Sequence, residues 1–255
     1  MQTRTNRFKQ ALQQGRQQLG FFSTLGSSTL TELFAGCGFD WILLDTEHSP
    51  NDMPEVIAQL QAMAAFDVSA IVRPAWSDMV LVKRLLDAGA QTLLIPSVQS
   101  AEEAQAAISY TRYPPQGLRG VSGSSRAAGY GLNTSYLKTI TPELCVIVQI
   151  ETRQGLRNLE SIAAVEGVDA VFIGPADLAA DMGHLGNGQH PEVQAAVDDA
   201  FARLKALGKP AGYLTVNEEE AQRRIAQGIA MVGVATDTSI ITRGAQGLLQ
   251  RLAAR

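Results

Sequence analysis

Residues 69–111 read SAIVRPAWSDMVLVKRLLDAGAQTLLIPSVQSAEEAQAAISYT, and this stretch decides the fold. Ser69–Arg73 is a short apolar, β-branched run, which reads as a strand. Asp78–Ala88 then places apolar residues at helical spacing behind an Asp cap, and Ala-Gly-Ala at 88–90 reads as the helix end. Thr92–Pro96 is a second apolar run, followed by a second helical pattern at Glu102–Tyr110. Strands apolar on both sides and separated by helices belong to a parallel sheet covered on its faces.

The same unit recurs outward in both directions. Upstream strands are expected at Leu19–Thr24 and Trp41–Asp45, and downstream ones at Leu144–Ile150, Ala170–Ile173, Ala211–Thr215 and Met231–Val234. Helical patterns lie at Thr29–Ala35, Asp52–Ala65, Glu192–Leu207 and Glu218–Gln227, and Gly residues mark the joints at 35–38 and 207–210. Eight such units predict an α/β fold, a single (β/α)8 TIM barrel over residues 1–255 with an extra N-terminal helix. An open doubly wound sheet is the competing fold. The absence of GxGxxG after the first strand counts against it.

Composition narrows the function classes. The net charge of −4, with no basic stripe, excludes an obvious nucleic-acid surface. No apolar run reaches the ~18 residues of a membrane span, and the first residues lack the apolar core of a secretory signal. Cys37 and Cys145 sit in apolar segments without ligand spacing and read as buried free thiols of a cytoplasmic protein. The Gly-, Ser- and Pro-rich stretch Tyr113–Asn133 is long for a loop in a compact domain and reads as a substrate cover.

Active sites of such barrels lie at the C-terminal ends of the strands. There the chain carries Asp45-Thr46-Glu47-His48, Arg73, Gln149-Ile150-Glu151, Gly174-Pro175-Ala176-Asp177 and Thr236-Asp237. Any one acid could be only a salt-bridge partner, but several polar tips on one rim form a pattern. Glu151 and Asp177 make the best metal pair. Two hard oxygen ligands suit Mg2+ or Mn2+ and leave coordination positions for the keto and carboxylate oxygens of a 2-oxo acid. Such an ion acts as a Lewis acid on developing enolate charge. Gly174 and Pro175 open a helix whose first-turn N–H groups can hold a carboxylate. His48 suits a general base, with helix capping as its bland alternative. Arg73 suits stabilisation of enolate charge, or else an ion pair with Asp45 or Glu47. His184 and His190 read as loop or capping residues. None of the five lysines, at 9, 83, 138, 205 and 209, falls at a strand's C-terminal end, which argues against an imine mechanism.

The motifs FDWILLDTEHSPND (39–52), VRPAWSD (72–78), LLDAGAQTLLIPSVQSAEEA (85–104), TRYPPQGLRGVS (111–122), VQIETRQGLRN (148–158) and GVDAVFIGPADLAADMGHLGN (167–187) resemble the 4-hydroxy-2-oxoheptanedioate aldolase family. That family includes the 2-keto-3-deoxy-sugar-acid aldolases. The resemblance runs from about Phe8 to Arg251. It implies a carbon–carbon lyase that splits 2-oxo-4-hydroxy acids into pyruvate and an aldehyde, using Mg2+, Mn2+ or Co2+. It also implies a homo-oligomer, with a hexamer as one expected form. Carried over by motif, Glu151 and Asp177 correspond to metal ligands, His48 to the base, Arg73 to the enolate stabiliser, and Gln149 and Ala176 to substrate contacts. Asp87 corresponds to the acid that raises the basicity of the histidine. Thr46 and Ser49 depart from the small residues expected beside Glu47-His48, and Val121–Gly131 matches no single subgroup.

Topology sets a problem for Asp87. It ends a helix just ahead of the fourth strand, at the face opposite His48, and a five-residue strand spans ~17 Å. Either Asp45 partners His48 within the chain, or Asp87 reaches a neighbouring subunit's histidine, which is the favoured expectation. Two other functions compete. A lyase acting on acyl-CoA esters would need a phosphate patch, for which Arg112, Arg119 and Arg126 are the candidates. The other is a binding barrel without catalysis.

Overall fold

In the computed structural model, which describes residues 2–253, eight parallel strands close into a barrel in chain order, with the last paired to the first. The strands are β1 (Gln18–Ser23), β2 (Trp41–Asp45), β3 (Ser69–Arg73), β4 (Thr92–Ile95), β5 (Cys145–Ile150), β6 (Ala170–Ile173), β7 (Ala211–Leu214) and β8 (Met231–Thr236). The helices are α1 (Arg7–Gln13), α2 (Ser28–Ala35), α3 (Met53–Ala62), α4 (Met79–Ala88), α5 (Ala101–Thr111), α6 (Tyr136–Thr139), α7 (Arg153–Arg157), α8 (Leu159–Ala163), α9 (Pro175–Asp181), α10 (Pro191–Ala206), α11 (Glu218–Ala226) and α12 (Asp237–Ala253). Each expected strand is present within two residues of its expected bounds. The expected N-terminal helix is α1. No helix of the described residues is long and apolar enough to cross a membrane.

Local chemistry sets the element ends. Ser27 and Asp78 cap α2 and α4, and Asp52 with Glu55 forms a capping box on α3. Gly89 ends α4 at φ 107°, a left-handed conformation that favours glycine, so the chain can turn directly toward β4.

Alternation along the strands divides the core in two. Ile42, Leu44, Val72, Val146, Val148, Val171 and Ile173 point outward and pack under the helices. Trp41, Leu43, Ile71, Leu94, Cys145, Ile147, Ala170, Phe172 and Met231 point inward and fill the barrel. Phe8 and Leu12 of α1 join this inner cluster and plug the barrel. Gly20 makes room for it: a Cβ there would lie 2.2 Å from the Trp41 ring.

Two expectations are corrected. Cys37 is exposed, because it follows α2 at the helix end; only Cys145 is buried. The segment Tyr113–Asn133 does not cover this chain's barrel mouth. It connects α5 to β5, and a helix-to-strand connection emerges at the N-terminal face. Arg126 donates to the Ala88 carbonyl at 2.6 Å, and Ala127 N donates to the Asp87 carbonyl at 3.0 Å, just ahead of β4.

Candidate active site

The same alternation selects the side chains at the mouth. In β2 the inward series Trp41, Leu43 continues to Asp45, and in β3 Ile71 is followed by Arg73. In β5, Cys145 and Ile147 lead to Gln149 and then Glu151; in β6, Ala170 and Phe172 lead to Gly174. Each polar residue therefore replaces an apolar one at the top of an interior row.

Asp45 and Arg73 are register partners across β2 and β3. The guanidinium forks onto the carboxylate, Nε to Oδ1 at 2.8 Å and Nη2 to Oδ2 at 2.7 Å. Its third nitrogen, Nη1, lies 2.9 Å from Glu47 Oε2, and the group sits over the Phe22 ring at 5.3 Å. Burial alone would make Arg73 easier to deprotonate. The hydrogen bond and charge of Asp45 outweigh it and hold the pKa above the ordinary arginine value. The cation is thus fixed in place and buried.

Glu151 is the other anchored group. Its Oε1 accepts from both the backbone N and the Oγ of Ser97, each at 2.9 Å. Its Oε2 accepts from Gln149 Nε2. Ser97 adopts φ 56°, unusual for a residue other than glycine, and this turn brings both donors onto the carboxylate. Gly174 closes the other side: a Cβ there would lie 2.7 Å from Glu151 Oε2 and 3.2 Å from Gln149 Nε2.

Two side-chain oxygens here lack hydrogen-bond partners. Gln149 Oε1 is buried with no donor. Glu47 Oε2 is buried too, and Arg73 Nη1, though near, lies off its hydrogen-bond direction. Burial pushes the Glu47 carboxyl up to about 7; Arg73 opposes the rise and the charge of Glu151 adds to it. Buried, electron-rich oxygens without matching donors fit a hard divalent cation such as Mg2+ or Mn2+. Asp177 stands exposed at the third position of α9, on the same rim, with Ala176 beside it. Among the described residues only His184, His190 and Glu192 bring three candidate ligand atoms within 4.8 Å of one another, so the oxygen set around Glu151 is more open.

His48 lies beyond the end of β2 with its side chain 65% exposed, Nε2 at 3.8 Å from Glu47 Oε2. Both Asp45 carboxylate oxygens are taken by Arg73, and Oδ1 also accepts from the backbone N of Glu47 at 3.0 Å. Asp87 is not at this rim. It lies at the C-terminal end of α4, at the N-terminal face, where Arg119 Nη2 donates to its Oδ1 at 2.9 Å. Lys9 and Lys209 end on the carbonyls of Leu144 and Val168, ahead of β5 and β6, and so also occupy that face. His190 accepts from Glu192 N at 3.3 Å and caps α10, as expected of a capping histidine.

Two site residues escaped the sequence reading. Ser97, just after β4, was not singled out in the sequence. Glu47 was in view beside His48, but its burial against Arg73 was not.

Residues 18–243 match the HpcH/HpaI aldolase/citrate lyase family. The chain is 52% identical over 253 residues to a pyruvate aldolase of Rhizobium etli, covering 99% of this chain and all of that one. It is 52% identical over 247 residues to a 4-hydroxy-2-oxo-heptane-1,7-dioate aldolase of Klebsiella pneumoniae, covering 96% and 93%. A crystal structure of an HpcH/HpaI aldolase/citrate lyase family protein from Burkholderia cenocepacia superposes with a TM-score of 0.96 at 39% identity, covering 98% and 100%.

Proposed function

This chain belongs to the HpcH/HpaI aldolase/citrate lyase family, and we propose that it is a divalent-metal-dependent class II aldolase that reversibly cleaves 2-oxo-4-hydroxy acids to pyruvate and an aldehyde. The observation that carries the reading is the Glu151 carboxylate, held by Ser97 and Gln149 amid unmatched buried oxygens and facing the same mouth as Arg73. Glu151 and Asp177 hold the ion, Mg2+ or Mn2+ with Co2+ as a further fit. Once bound, it supplies Lewis-acid stabilisation of negative charge on the keto oxygen.

The chain's own groups divide the remaining work. Gln149 and the backbone at Gly174 and Ala176 orient the 2-oxo acid. His48 takes the proton from the C4 hydroxyl, the C3–C4 bond breaks to release the aldehyde, and the electron pair is delocalised toward the C2 oxygen. Arg73 offsets that charge; its fork on Asp45 keeps the guanidinium from having to reorganise as charge develops. Carbon C3 is then reprotonated to give pyruvate.

The site is shared between subunits in this reading. Within the chain the acid nearest His48 is Glu47, at 3.8 Å and turned toward Arg73, while Asp87 and the loop Val121–Gly131 lie side by side at the opposite face. Docked on a neighbour, one edge would deliver both the dyad acid and the aldehyde cover. Oligomerisation is supported by α12, a 17-residue helix whose Ile241, Leu248, Leu249 and Leu252 are 43–67% exposed. One barrel domain over residues 1–255 carries each copy, and the two free thiols accord with a reducing cytoplasm.

Two rival readings fare worse. Arg119 is fully buried on Asp87, and Arg126 is committed to the Ala88 carbonyl, so neither guanidinium is free to build a CoA phosphate patch. A silent binding barrel would have no use for unmatched buried carboxylate and amide oxygens.

Pyruvate release from a 2-oxo-4-hydroxy acid tests the proposal. Activity is expected to vanish on chelation and return with Mn2+ or Mg2+. Full turnover in chelator, or pyruvate trapped on a lysine by borohydride, would overturn it.

A further inference from the structure

The connector between α9 and α10 carries a cluster that the aldol reaction does not use. His184 Nε2 lies 2.9 Å from Glu192 Oε2. The imidazoles of His184 and His190 stack with centroids 3.5 Å apart and planes 14° apart. One ligand atom from each of the three side chains lies within 4.8 Å of the other two. Two imidazoles and a carboxylate form a donor set unlike the all-oxygen set around Glu151. Imidazole nitrogen suits Zn2+, Ni2+ and Cu2+, whereas carboxylate and carbonyl oxygens suit Mg2+ and Mn2+.

We propose that His184, His190 and Glu192 form a second metal site, selective for a transition ion of the Zn2+, Ni2+ or Cu2+ class and independent of the catalytic ion. Three protein ligands leave a fourth position for water. Parallel rings cannot both aim in-plane lone pairs at one ion, so one imidazole turns about its side-chain bonds when the ion enters. The surroundings permit the turn. Gly183 and Gly186 adopt φ 87° and 78° with no atom within 4 Å of a built Cβ, and the Glu192 side chain is 70% exposed. The Nδ1 acceptor bond that His190 gives Glu192 N is long, at 3.3 Å, and easily exchanged.

The site also braces the helix that carries Asp177. His184 N donates to the Ala179 carbonyl at 2.7 Å, and a Cβ on Gly188 would meet the Pro175 carbonyl oxygen at an ordinary 3.6 Å. An ion here ties the far end of α9 and the loop against its first turn to the start of α10.

The chain has three histidines, which makes nitrogen ligation easy to assign. The metal-stripped full chain, held in excess Mg2+, is titrated with Cu2+ and read by electron paramagnetic resonance, and separately with Zn2+ by calorimetry. The wild type is expected to show one Cu2+ with coupling to two nitrogens, and His48→Ala to keep it. His184→Ala and His190→Ala should each lose the two-nitrogen pattern. Outer-shell changes alone cost ~10–100-fold in metal affinity, so their Zn2+ affinity should fall at least that far, with Glu192→Gln weakened as well. Circular dichroism checks that the variants are folded. A wild type without two-nitrogen coupling, or a His184→Ala/His190→Ala double variant that binds Zn2+ as before, would overturn the proposal.

Discussion

Replacing Gly174 with alanine adds one methyl group at the point where the site has no room for it. Gly174 has φ −89° and ψ 98°, which any residue adopts, so the substitution introduces no backbone strain. Its whole effect comes from the new Cβ, placed 2.7 Å from Glu151 Oε2, 2.9 Å from Glu151 Cβ and 3.2 Å from Gln149 Nε2. The carboxylate cannot simply swing away. Ser97 holds its Oε1 with two donors, and the side chain is 4% exposed. Overpacking of this kind costs ~1–3 kcal/mol. For a chain of this size that lowers Tm by roughly 2–12 °C, leaving the protein folded at 25 °C. Displacing a metal ligand's support costs ~10–100-fold in affinity or activity. The assay couples pyruvate release to lactate dehydrogenase across a Mn2+ titration, with a melting curve alongside. The expected result is a Mn2+ requirement raised by that factor and a modest loss of Tm. Gly36→Ala, whose Cβ meets nothing closer than 3.4 Å, is the matched control. A Gly174→Ala enzyme with wild-type Mn2+ dependence would refute the link between Gly174 and the position of Glu151.

Arg73→Lys removes the fork on Asp45 and is expected to lower kcat ~10²–10³-fold, measured in the same coupled assay. Ser97→Gly relaxes the positive φ but deletes the Oγ donor to Glu151; equilibrium dialysis with Mn2+ should show weaker binding in a chain that melts no earlier. The metal-free protein should lose stability as pH rises. Glu47 has its pKa raised from 4.5 to about 7, so between those values the folded chain binds more protons than the unfolded one, and stability falls with pH until Glu47 is ionised in both states above about 7. Urea titrations from pH 5 to 8 should show the decline, and Glu47→Gln should flatten it. Mixing inactive His48→Ala and Asp87→Ala chains should restore part of the activity if the dyad crosses an interface. A mixture that stays dead would confine it to one chain.

The barrel was legible because each unit repeats one physical pattern: an apolar strand, a capped helix and a glycine stop. The mouth residues were legible for a related reason. Once β2, β3, β5 and β6 are placed, strict alternation from Trp41, Ile71, Cys145 and Ala170 carries Asp45, Arg73, Glu151 and Gly174 to one end. The support for those residues was not legible. That Ser97 turns its N–H and Oγ onto Glu151 depends on a φ of 56°, and no local signal forces a serine into that region. That Glu47 is desolvated depends on the packing of a loop against Arg73. The burial of Cys37 failed for a similar reason, since a short helix end exposes what an apolar segment appears to hide. The reading of Tyr113–Asn133 failed on topology. Its composition suggested a lid, but a segment between a helix and the next strand belongs to the face away from the chemistry.

That error and the difficulty over Asp87 turn out to be one problem. Asp87 ends α4, and the Ala127 N–H binds the Asp87 carbonyl itself; Arg119 and Arg126 hold the acid and the adjacent turn from either side. Moving one of these groups to a catalytic mouth therefore moves them all. Within a chain the move is impossible, because the barrel lies between. Between chains it needs only that the N-terminal edge of one barrel meets the C-terminal rim of another. His48 is suited to receive it. It is the most exposed of the proposed catalytic side chains at the mouth, and the two acids near it in sequence, Asp45 and Glu47, both face Arg73. Arg119 matters to this arrangement because its fully buried guanidinium, packed on the Tyr113 ring at 4.6 Å, holds the Asp87 carboxylate from behind. In the proposed assembly the N-terminal edge of one chain completes the site of its neighbour.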